Sequence, residues 1–298
     1  MKVELKKINS FFVVFFLLSI FISEISARNV KFESTEGWAM AYMSSASLNL
    51  AAAPESLKQK GNVRLSAELS SIPKLSKEQQ IIGLGGAKEE DLNKSPVFGR
   101  AKIEYGIPFG LTLELSWTPA LKINGAKPRN LWGLAISTPI ILKEYWGLEA
   151  RVFSQNGALI ADVTCSYKNT KFLPFTEGNL YGCIGPSSDK LKLDHIGLEA
   201  IVKVNRTFFG MQPWLSYAST RVDSSVEINA PLAGGDHQAY VSTNGTLNTF
   251  SFGLTKQLND KLGVNIGSSY TPLQVQRKIE SKDSDSFWNI KMSIYWSF

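Results

Sequence analysis

Apolar and polar residues alternate along most of this chain. The clearest run closes the sequence, where Trp288, Ile290, Met292, Ile294 and Trp296 alternate with more polar residues. A period of two predicts β-strands with one apolar and one polar face. Ten segments show this pattern: 62–70, 99–105, 111–118, 132–140, 146–153, 196–204, 211–219, 246–257, 262–270 and 288–298.

Two architectures fit such strands. A soluble sandwich or barrel turns the apolar face inward, whereas a transmembrane barrel turns it toward lipid. Six of the seven tryptophans lie in the alternating segments and mostly near their ends, where aromatic girdles meet membrane interfaces: Trp117, Trp132, Trp146, Trp214, Trp288 and Trp296. We therefore predict an all-β fold, an antiparallel transmembrane β-barrel over residues 62–298.

The connections between segments alternate in length. Short ones (106–110, 142–145, 205–210 and 258–261) are separated by longer ones (72–96, 120–130, 156–192, 223–245 and 271–285). Short periplasmic turns and long outer loops are typical of bacterial barrels, which have an even number of strands. The pattern predicts ten strands with both chain termini periplasmic, or twelve if Leu159 to Cys165 forms part of a further hairpin.

The first 27 residues have the composition of an export signal. Lys2, Lys6 and Lys7 precede an apolar run from Phe11 to Ile22, and the small residue Ala27 provides a cleavage point. An uncleaved anchor is the alternative, but twelve residues span only about 18 Å as a helix, against a hydrocarbon core of about 30 Å. We expect export to the outer membrane of a Gram-negative bacterium.

Residues 28–61 do not alternate. Trp38 to Leu48 is apolar and rich in small residues, which predicts a short helical or irregular segment that is periplasmic or plugs the lumen. The spacing of Pro54, Leu57, Gly61 and Leu65 resembles the junction between hatch and first strand in the long-chain fatty-acid and hydrocarbon transporter barrels. Those barrels have more strands and an Asn-Pro-Ala at the proline, so their ligand residues are not transferred.

The terminal segment carries a second resemblance. Trp288, Ile290, Met292, Ile294, Trp296 and Phe298 resemble the C-terminal insertion signal of Gram-negative outer-membrane β-barrels. The resemblance implies recognition by the barrel-assembly machinery, with outer-membrane lipid and lipopolysaccharide as surroundings. We expect a monomer.

Charge adds information about the lumen. The formal net charge of +6 is mild and gives no reason to expect nucleic acid. The polar strand faces carry cations and anions in equal number: Arg64, Arg100, Lys102, Arg151 and Lys203 against Glu68, Glu104, Glu114, Glu149 and Glu199. Buried charges must pair or reach water, so we expect a cross-barrel charge network that fills the lumen. A narrow or gated aqueous path is the alternative.

The two cysteines lie in one long connection. Cys165 and Cys183 are both in the segment 156–192, and the exported side of a membrane is oxidising. We predict that they form a disulfide, which stabilises a loop of this size by about 3 kcal/mol in the chain-entropy model.

Candidate catalytic residues are few. His195 follows Asp194, and His237 follows Asp236 in an outer loop. An Asp-His pair at the rim resembles the ten-stranded outer-membrane proteases, but their second acidic pair has no counterpart here. The run 88–91 (Lys-Glu-Glu-Asp) is expected to be solvated. We expect no cofactor and no metal.

These observations favour a non-enzymatic barrel that gives restricted passage to small or hydrophobic compounds. The alternative is a structural or adhesin-like barrel that acts through its long outer loops. A rim hydrolase using His237 and Asp236 is the third possibility.

Deletion of Phe298 tests the insertion signal. Removal of the terminal aromatic residue is expected to impair assembly of the barrel in the outer membrane, because this residue ends the recognised pattern. Heat-modifiable migration on gels reports the assembled barrel. Normal heat-modifiable protein from the deletion variant would count against the predicted signal.

Overall fold

Ten strands form a closed antiparallel barrel. The computed structural model describes residues 26–51, 60–278 and 281–298, so the predicted signal lies outside it except for its last two residues. The barrel strands are β2 (Val63–Ser71), β5 (Val97–Gly106), β6 (Thr112–Trp117), β7 (Lys127–Leu142), β8 (Trp146–Ala161), β9 (Asp189–Val204), β10 (Gln212–Ala230), β11 (His237–Gln257), β12 (Leu262–Thr271) and β15 (Phe287–Ser297). The predicted fold class and the count of ten strands are confirmed.

Pairing between the last and first barrel strands closes the sheet. Each strand pairs with its neighbours in the chain, and β15 lies between β12 and β2. Next to this seam, the backbone N–H of Phe298 donates to the carbonyl of Val63 at 2.8 Å. The alternating terminal segment is therefore an ordinary barrel strand, paired along both edges.

Smaller elements lie inside the barrel or at its long-loop end. They are β1 (Ser26–Asn29), α1 (Thr35–Ser47), α2 (Lys77–Gln80), β3 (Ile81–Ile82), α3 (Gly83–Gly86), β4 (Lys88–Glu89), β13 (Gln274–Lys278) and β14 (Ser281–Ser284). Short 3-10 turns span Pro108–Gly110 and Asn169–Lys171. Among the described residues, no helix is both long enough and apolar enough to span a membrane.

The chain before the first barrel strand passes through the barrel. β1 pairs in parallel with residues 239–242 of β11, at the long-loop end, whereas Gly61 bonds to Gly106 at the short-turn end. The prediction that both termini lie at the short-turn end is wrong for β1. Phe32 then packs on Gly245, where a β-carbon would come within 2.5 Å of the phenyl ring.

Helix α1 lies in the lumen. Ser34 caps its first turn by accepting a hydrogen bond from the N–H of Gly37, and Glu36 adds a negative charge where the helix dipole favours one. Gly37 is required because a β-carbon there would lie 2.2 Å from the carbonyl oxygen of Lys31. The helix is apolar around most of its circumference and nearly all of it is buried, as expected of a helix enclosed on every side.

The strands β8 to β11 extend further than the sequence pattern predicted. The predicted loops 156–192 and 223–245 shrink to 162–188 and 231–236. The cause is visible in β9, whose outward positions change from apolar to charged toward the long-loop end, in the order Val204, Val202, Ala200, Leu198, Ile196, Asp194, Lys192 and Lys190. Its inward positions change from polar to aliphatic, in the order Lys203, Ile201, Glu199, Gly197, His195, Leu193 and Leu191. At the long-loop end of the strand lies Asp189, a buried carboxylate that accepts hydrogen bonds from backbone N–H groups of the loop 162–188 and of β10.

This inversion divides the barrel into two zones. Near the short turns the wall is apolar outside and polar inside, whereas beyond the inversion it is polar outside and apolar inside. β10 and β11 repeat the change, with inward Val226 and Ile228 on one and Val241 on the other. The first zone has the polarity of a membrane barrel, and the second has that of a barrel in water.

One tryptophan is not where the sequence pattern placed it. Trp214 points into the lumen, is 8% exposed, and donates from its indole N–H to Asn265 at 2.8 Å. Gly253 and Gly267 make room for its ring. The other five predicted girdle tryptophans lie on the outer surface, each at least 40% exposed.

Candidate functional site: a plugged lumen and an apolar chamber

The charged residues predicted for the lumen all lie inside the barrel, and nine of the ten form ion pairs with one another. Glu114 contacts two cations, Arg151 at 2.8 Å and Lys102 at 3.6 Å. The remaining pairs are Arg64 with Glu104 (3.0 Å), Lys102 with Glu68 (3.3 Å), Arg151 with Glu199 (3.0 Å) and Lys203 with Glu149 (2.9 Å). Most of the charge is thus neutralised within the wall.

Arg100 instead binds the end of helix α1. Its guanidinium donates to the carbonyl oxygens of Ser47 at 2.6 Å and Leu48 at 3.3 Å. It also donates to the side-chain oxygens of Asn49 and Gln155. The last carbonyls of a helix have no partner within the helix and carry its negative dipole end. The fully buried guanidinium of Arg100 supplies hydrogen-bond donors to these carbonyls and a positive charge to the negative end of the dipole.

The next residues are held by other lumen side chains. Arg151 donates to the carbonyl of Asn49 at 2.7 Å, and Lys102 donates to that of Leu50 at 2.8 Å. Two backbone N–H groups donate in the opposite direction, Asn49 to His195 Nε2 at 3.3 Å and Ala51 to Glu199 at 3.0 Å. We call residues 47–51 the plug segment, because this part of the chain crosses the lumen and its backbone binds side chains of three strands, β5, β8 and β9.

Little free volume surrounds the plug segment. One cavity beside Leu50 and Trp214 has a volume of ≈ 10 Å³, and another beside Ala51 and Glu149 is equally small. A cavity of this size holds about one water molecule. Each of these two cavities therefore has room for a single water and not for a solute.

A much larger cavity lies between α1 and the long-loop end. It has a volume of ≈ 480 Å³, and we call it the apolar chamber. Met40 and Met43 of α1 form one side. The wall strands and loops contribute aliphatic residues, including Ile72, Ile82, Leu92, Leu159, Leu191, Val226, Ile228, Leu232 and Val241. Volumes of about 300–1,000 Å³ with mainly apolar walls are typical of small-molecule sites.

The cations that line the apolar chamber are paired. Arg28 contacts Glu36 at 2.6 Å, and Lys94 contacts Asp162 at 3.1 Å. Lys88 donates to Glu90 at 2.9 Å and to the carbonyl of Thr164 at 2.6 Å. The prediction that the run 88–91 is solvated is wrong for Lys88 and Glu90, which are buried by the fold of the loop over α1.

Burial also perturbs the Lys88–Glu90 pair. Desolvation is the main reason that the pKa of Glu90 is raised to about 7; Lys88 opposes this rise, and the nearby carboxylates of Asp189 and Glu36 contribute to it. Near neutral pH, the chamber wall therefore carries a carboxyl group that is only partly ionised.

The predicted disulfide between Cys165 and Cys183 is confirmed. Both half-cystines are buried against Ala230 at the end of β10, with Ile228 and Leu232 packed beside them. Since Ile228 and Leu232 also line the apolar chamber, the disulfide, which closes part of the longest loop, packs that loop against the chamber wall.

The two histidine pairs differ in their placement. Asp194 faces outward and pairs with Lys192, while His195 faces the lumen, because successive strand residues point to opposite sides. They do not form a dyad. His237 is exposed and lines the mouth of the chamber, next to exposed Asp236 in the loop 231–236.

Some functional residues were missed at the sequence level. Asn49 and Gln155 are uncharged and carry no signal of their own. The apolar residues of the chamber could have been found from the sequence. In 189–195 and 221–230 the positions that face outward become polar and those that face inward become largely apolar.

Comparisons with known proteins add little. No family model and no curated protein matches the chain. Among solved structures, Ail of Yersinia pestis is 9% identical with a TM-score of 0.32, covering 80% of this chain and 100% of that one. The translocator domain of the autotransporter NalP from Neisseria meningitidis is 9% identical with a TM-score of 0.43, covering 89% of this chain and 98% of that one. The protease OmpT of Escherichia coli is 10% identical with a TM-score of 0.37, covering 84% of this chain and 97% of that one. Scores this low support no inference about function.

Arg100→Met tests how the plug segment is held. The substitution leaves the carbonyls of Ser47 and Leu48 without their donor, at a cost of about 1–3 kcal/mol for each buried group, so the plug segment is expected to detach intermittently. We expect channel openings in planar-bilayer recordings that the parent protein lacks.

Lys203→Met is the matched control. It also removes a lumen cation, but one that pairs with Glu149 of the wall. This variant is expected to stay closed. Equal conductance of the two variants would show that Arg100 does not hold the plug segment.

Proposed function

We propose that this protein is a non-enzymatic outer-membrane barrel that receives small uncharged hydrophobic molecules in the apolar chamber and restricts their passage by means of the plug segment. The observation that supports this most strongly is the position of the chamber: ≈ 480 Å³ of apolar space at the long-loop end, above a lumen crossed by residues 47–51.

The outer surface supports a membrane location. Large apolar side chains around the short-turn zone are about half exposed, for example Leu134 (53%), Leu198 (64%) and Phe252 (58%). A continuous belt of this kind is costly in water and suited to lipid. We place the long loops outside the cell. The outward side chains of the terminal strand are available to the barrel-assembly machinery, as the resemblance of its sequence implies.

The charge of the chamber favours neutral molecules. Its lining cations Arg28, Lys88 and Lys94 each contact a carboxylate already. An anionic ligand would have to displace one of these carboxylates or remain unpaired in an apolar surrounding, which is costly. A neutral ligand replaces water against aliphatic side chains and gains about 25 cal/mol for each Å² of apolar surface buried.

Passage beyond the chamber requires movement of the plug segment. Its five residues are fixed by hydrogen bonds to Arg100, Lys102, Arg151, His195 and Glu199. These contacts would have to exchange partners as the segment shifts. Passage is restricted because a solute can move beyond the chamber only when these hydrogen bonds exchange partners.

A surface-interaction role is the second candidate, and one observation favours it. The disulfide-braced loop 162–188 exposes a group of large apolar side chains: Tyr167, Phe172, Leu173, Phe175, Leu180 and Ile184. Isolated exposed apolar residues are common, but a group on one loop is typical of contact surfaces. In this alternative the chamber is a structural void.

Naphthalene binding tests the proposed function. The protein in lipid nanodiscs is expected to bind radiolabelled naphthalene above the level of empty nanodiscs. It is expected to bind 1-naphthoate, the same ring with a carboxylate, at least tenfold more weakly. Val226→Trp/Ile228→Trp fills the chamber and is expected to reduce naphthalene binding at least tenfold.

Glu227→Trp/Asn229→Trp is the control, because it places the same two indoles on the exposed side of β10. It should bind naphthalene like the parent protein. Unchanged binding in the chamber-filling variant would refute the chamber as the site. Equal binding of naphthoate would refute the preference for neutral ligands.

A further inference from the structure

A group of cations projects from the outer wall just beyond the apolar belt. Lys127 and Arg129 lie at the long-loop end of β7, and Lys190 and Lys192 lie at the same end of β9. We call these four residues the basic patch. All four point outward, since Lys127 and Lys190 both pair in register with Ile160, and Arg129 and Lys192 both pair with Ala158.

The register gives the dimensions of the basic patch. Neighbouring strands are about 4.8 Å apart, so β7 and β9 are separated by about 10 Å across β8, and alternate residues on a strand are about 7 Å apart. The cations therefore stand at the corners of a rectangle with Ala158 and Ile160 as its floor. An area of this size accommodates one or two phosphate groups.

Two of the four cations of the basic patch form no ion pair with the part of the chain that the structure describes. Lys190 contacts Glu227 at 2.9 Å, and Lys192 contacts Asp194 at 2.7 Å. Lys127 and Arg129 are exposed and form no ion pair among residues 26–51, 60–278 and 281–298. The patch keeps a net positive charge that is available to an external anion.

The patch lies at the boundary of the belt. On β7, Trp132 of the apolar belt is followed by the bulge at 129–132 and then by the cations. On β9, Ile196 is the last apolar outward residue before Asp194 and Lys192. Cations at this height would meet the head groups of the lipid leaflet at the long-loop end.

We propose that the basic patch binds the phosphorylated head group of an outer-leaflet lipid, with Lys127 and Arg129 contacting the phosphate directly. This proposal rests on the membrane location proposed above and is independent of the apolar chamber. The guanidinium of Arg129 supplies a planar pair of donors for a phosphate, and Lys127 supplies a flexible point charge. Between the four cations lie only uncharged residues, Ile160 and Ala158, of which Ala158 is already covered by its neighbours.

Native mass spectrometry of the full chain in detergent, with added bisphosphorylated lipid A, tests the proposal. The parent protein is expected to retain the lipid. Lys127→Gln/Arg129→Gln is expected to bind it about tenfold more weakly at low salt. Lys143→Gln/Lys261→Gln removes two exposed cations at the short-turn end and should bind lipid A like the parent protein.

Equal lipid binding by the two double variants would overturn the proposal. Displacement of lipid A by millimolar inorganic phosphate would also overturn it, because the site would then recognise free phosphate. Naphthalene binding by Lys127→Gln/Arg129→Gln is expected to be unchanged, so failure of the lipid site and failure of the chamber are distinguishable.

Discussion

The structure depends on the satisfaction of backbone hydrogen bonds where the chain crosses the lumen. Residues 48–51 lie outside any sheet and follow Ser47, the last residue of α1, so their peptide groups need partners inside the barrel, where the adjacent cavity holds about one water molecule. Arg100, Lys102 and Arg151 supply donors to the carbonyls. His195 and Glu199 accept from the N–H groups. Without these side chains the segment could not remain buried.

The same interactions explain why the lumen carries so much charge. A wall that only needed to be filled could use small polar residues, as β10 and β12 do near Ser216 and Ser269. The ion pairs of Glu114 and Glu199 hold Arg151 in position, and that arginine in turn holds Asn49. The network thus orients the groups that bind the plug segment, in addition to neutralising charge within the wall.

The architecture could be predicted from the sequence because every strand of the barrel wall needs one apolar and one polar face, which gives a regular alternation. Trp288 to Phe298 shows that alternation directly, and the strand count and the short turns followed from it. The outer halves of β8 to β11 were missed because the outward positions change from apolar to polar along one strand, so the alternation continues with its phase reversed. The apolar chamber lies where this reversal occurs.

The plug contacts could not be predicted for a different reason. Arg100 and Lys102 occupy equivalent positions on one strand face, and nothing local shows that one caps a helix while the other bridges two carboxylates. The helix-end carbonyls that Arg100 binds lie about 50 residues away in the chain, and the carboxylates that Lys102 contacts lie on the neighbouring strands β2 and β6. Likewise, the placement of α1 depends on Trp38, whose indole N–H donates to the carbonyl of Asp285 in the loop before β15.

A cysteine cross-link tests most directly whether α1 and the plug segment occupy the lumen. The hydroxyls of Ser44 on α1 and Ser224 on β10 are 2.9 Å apart, and both side chains are buried. In Ser44→Cys/Ser224→Cys, peptide mapping of the refolded protein should find a disulfide between positions 44 and 224 beside the native Cys165–Cys183 bond. Ser44→Cys alone should carry a buried thiol that reacts slowly with maleimide. Absence of the cross-link, with rapid labelling at position 44, would show that the helix lies outside the barrel.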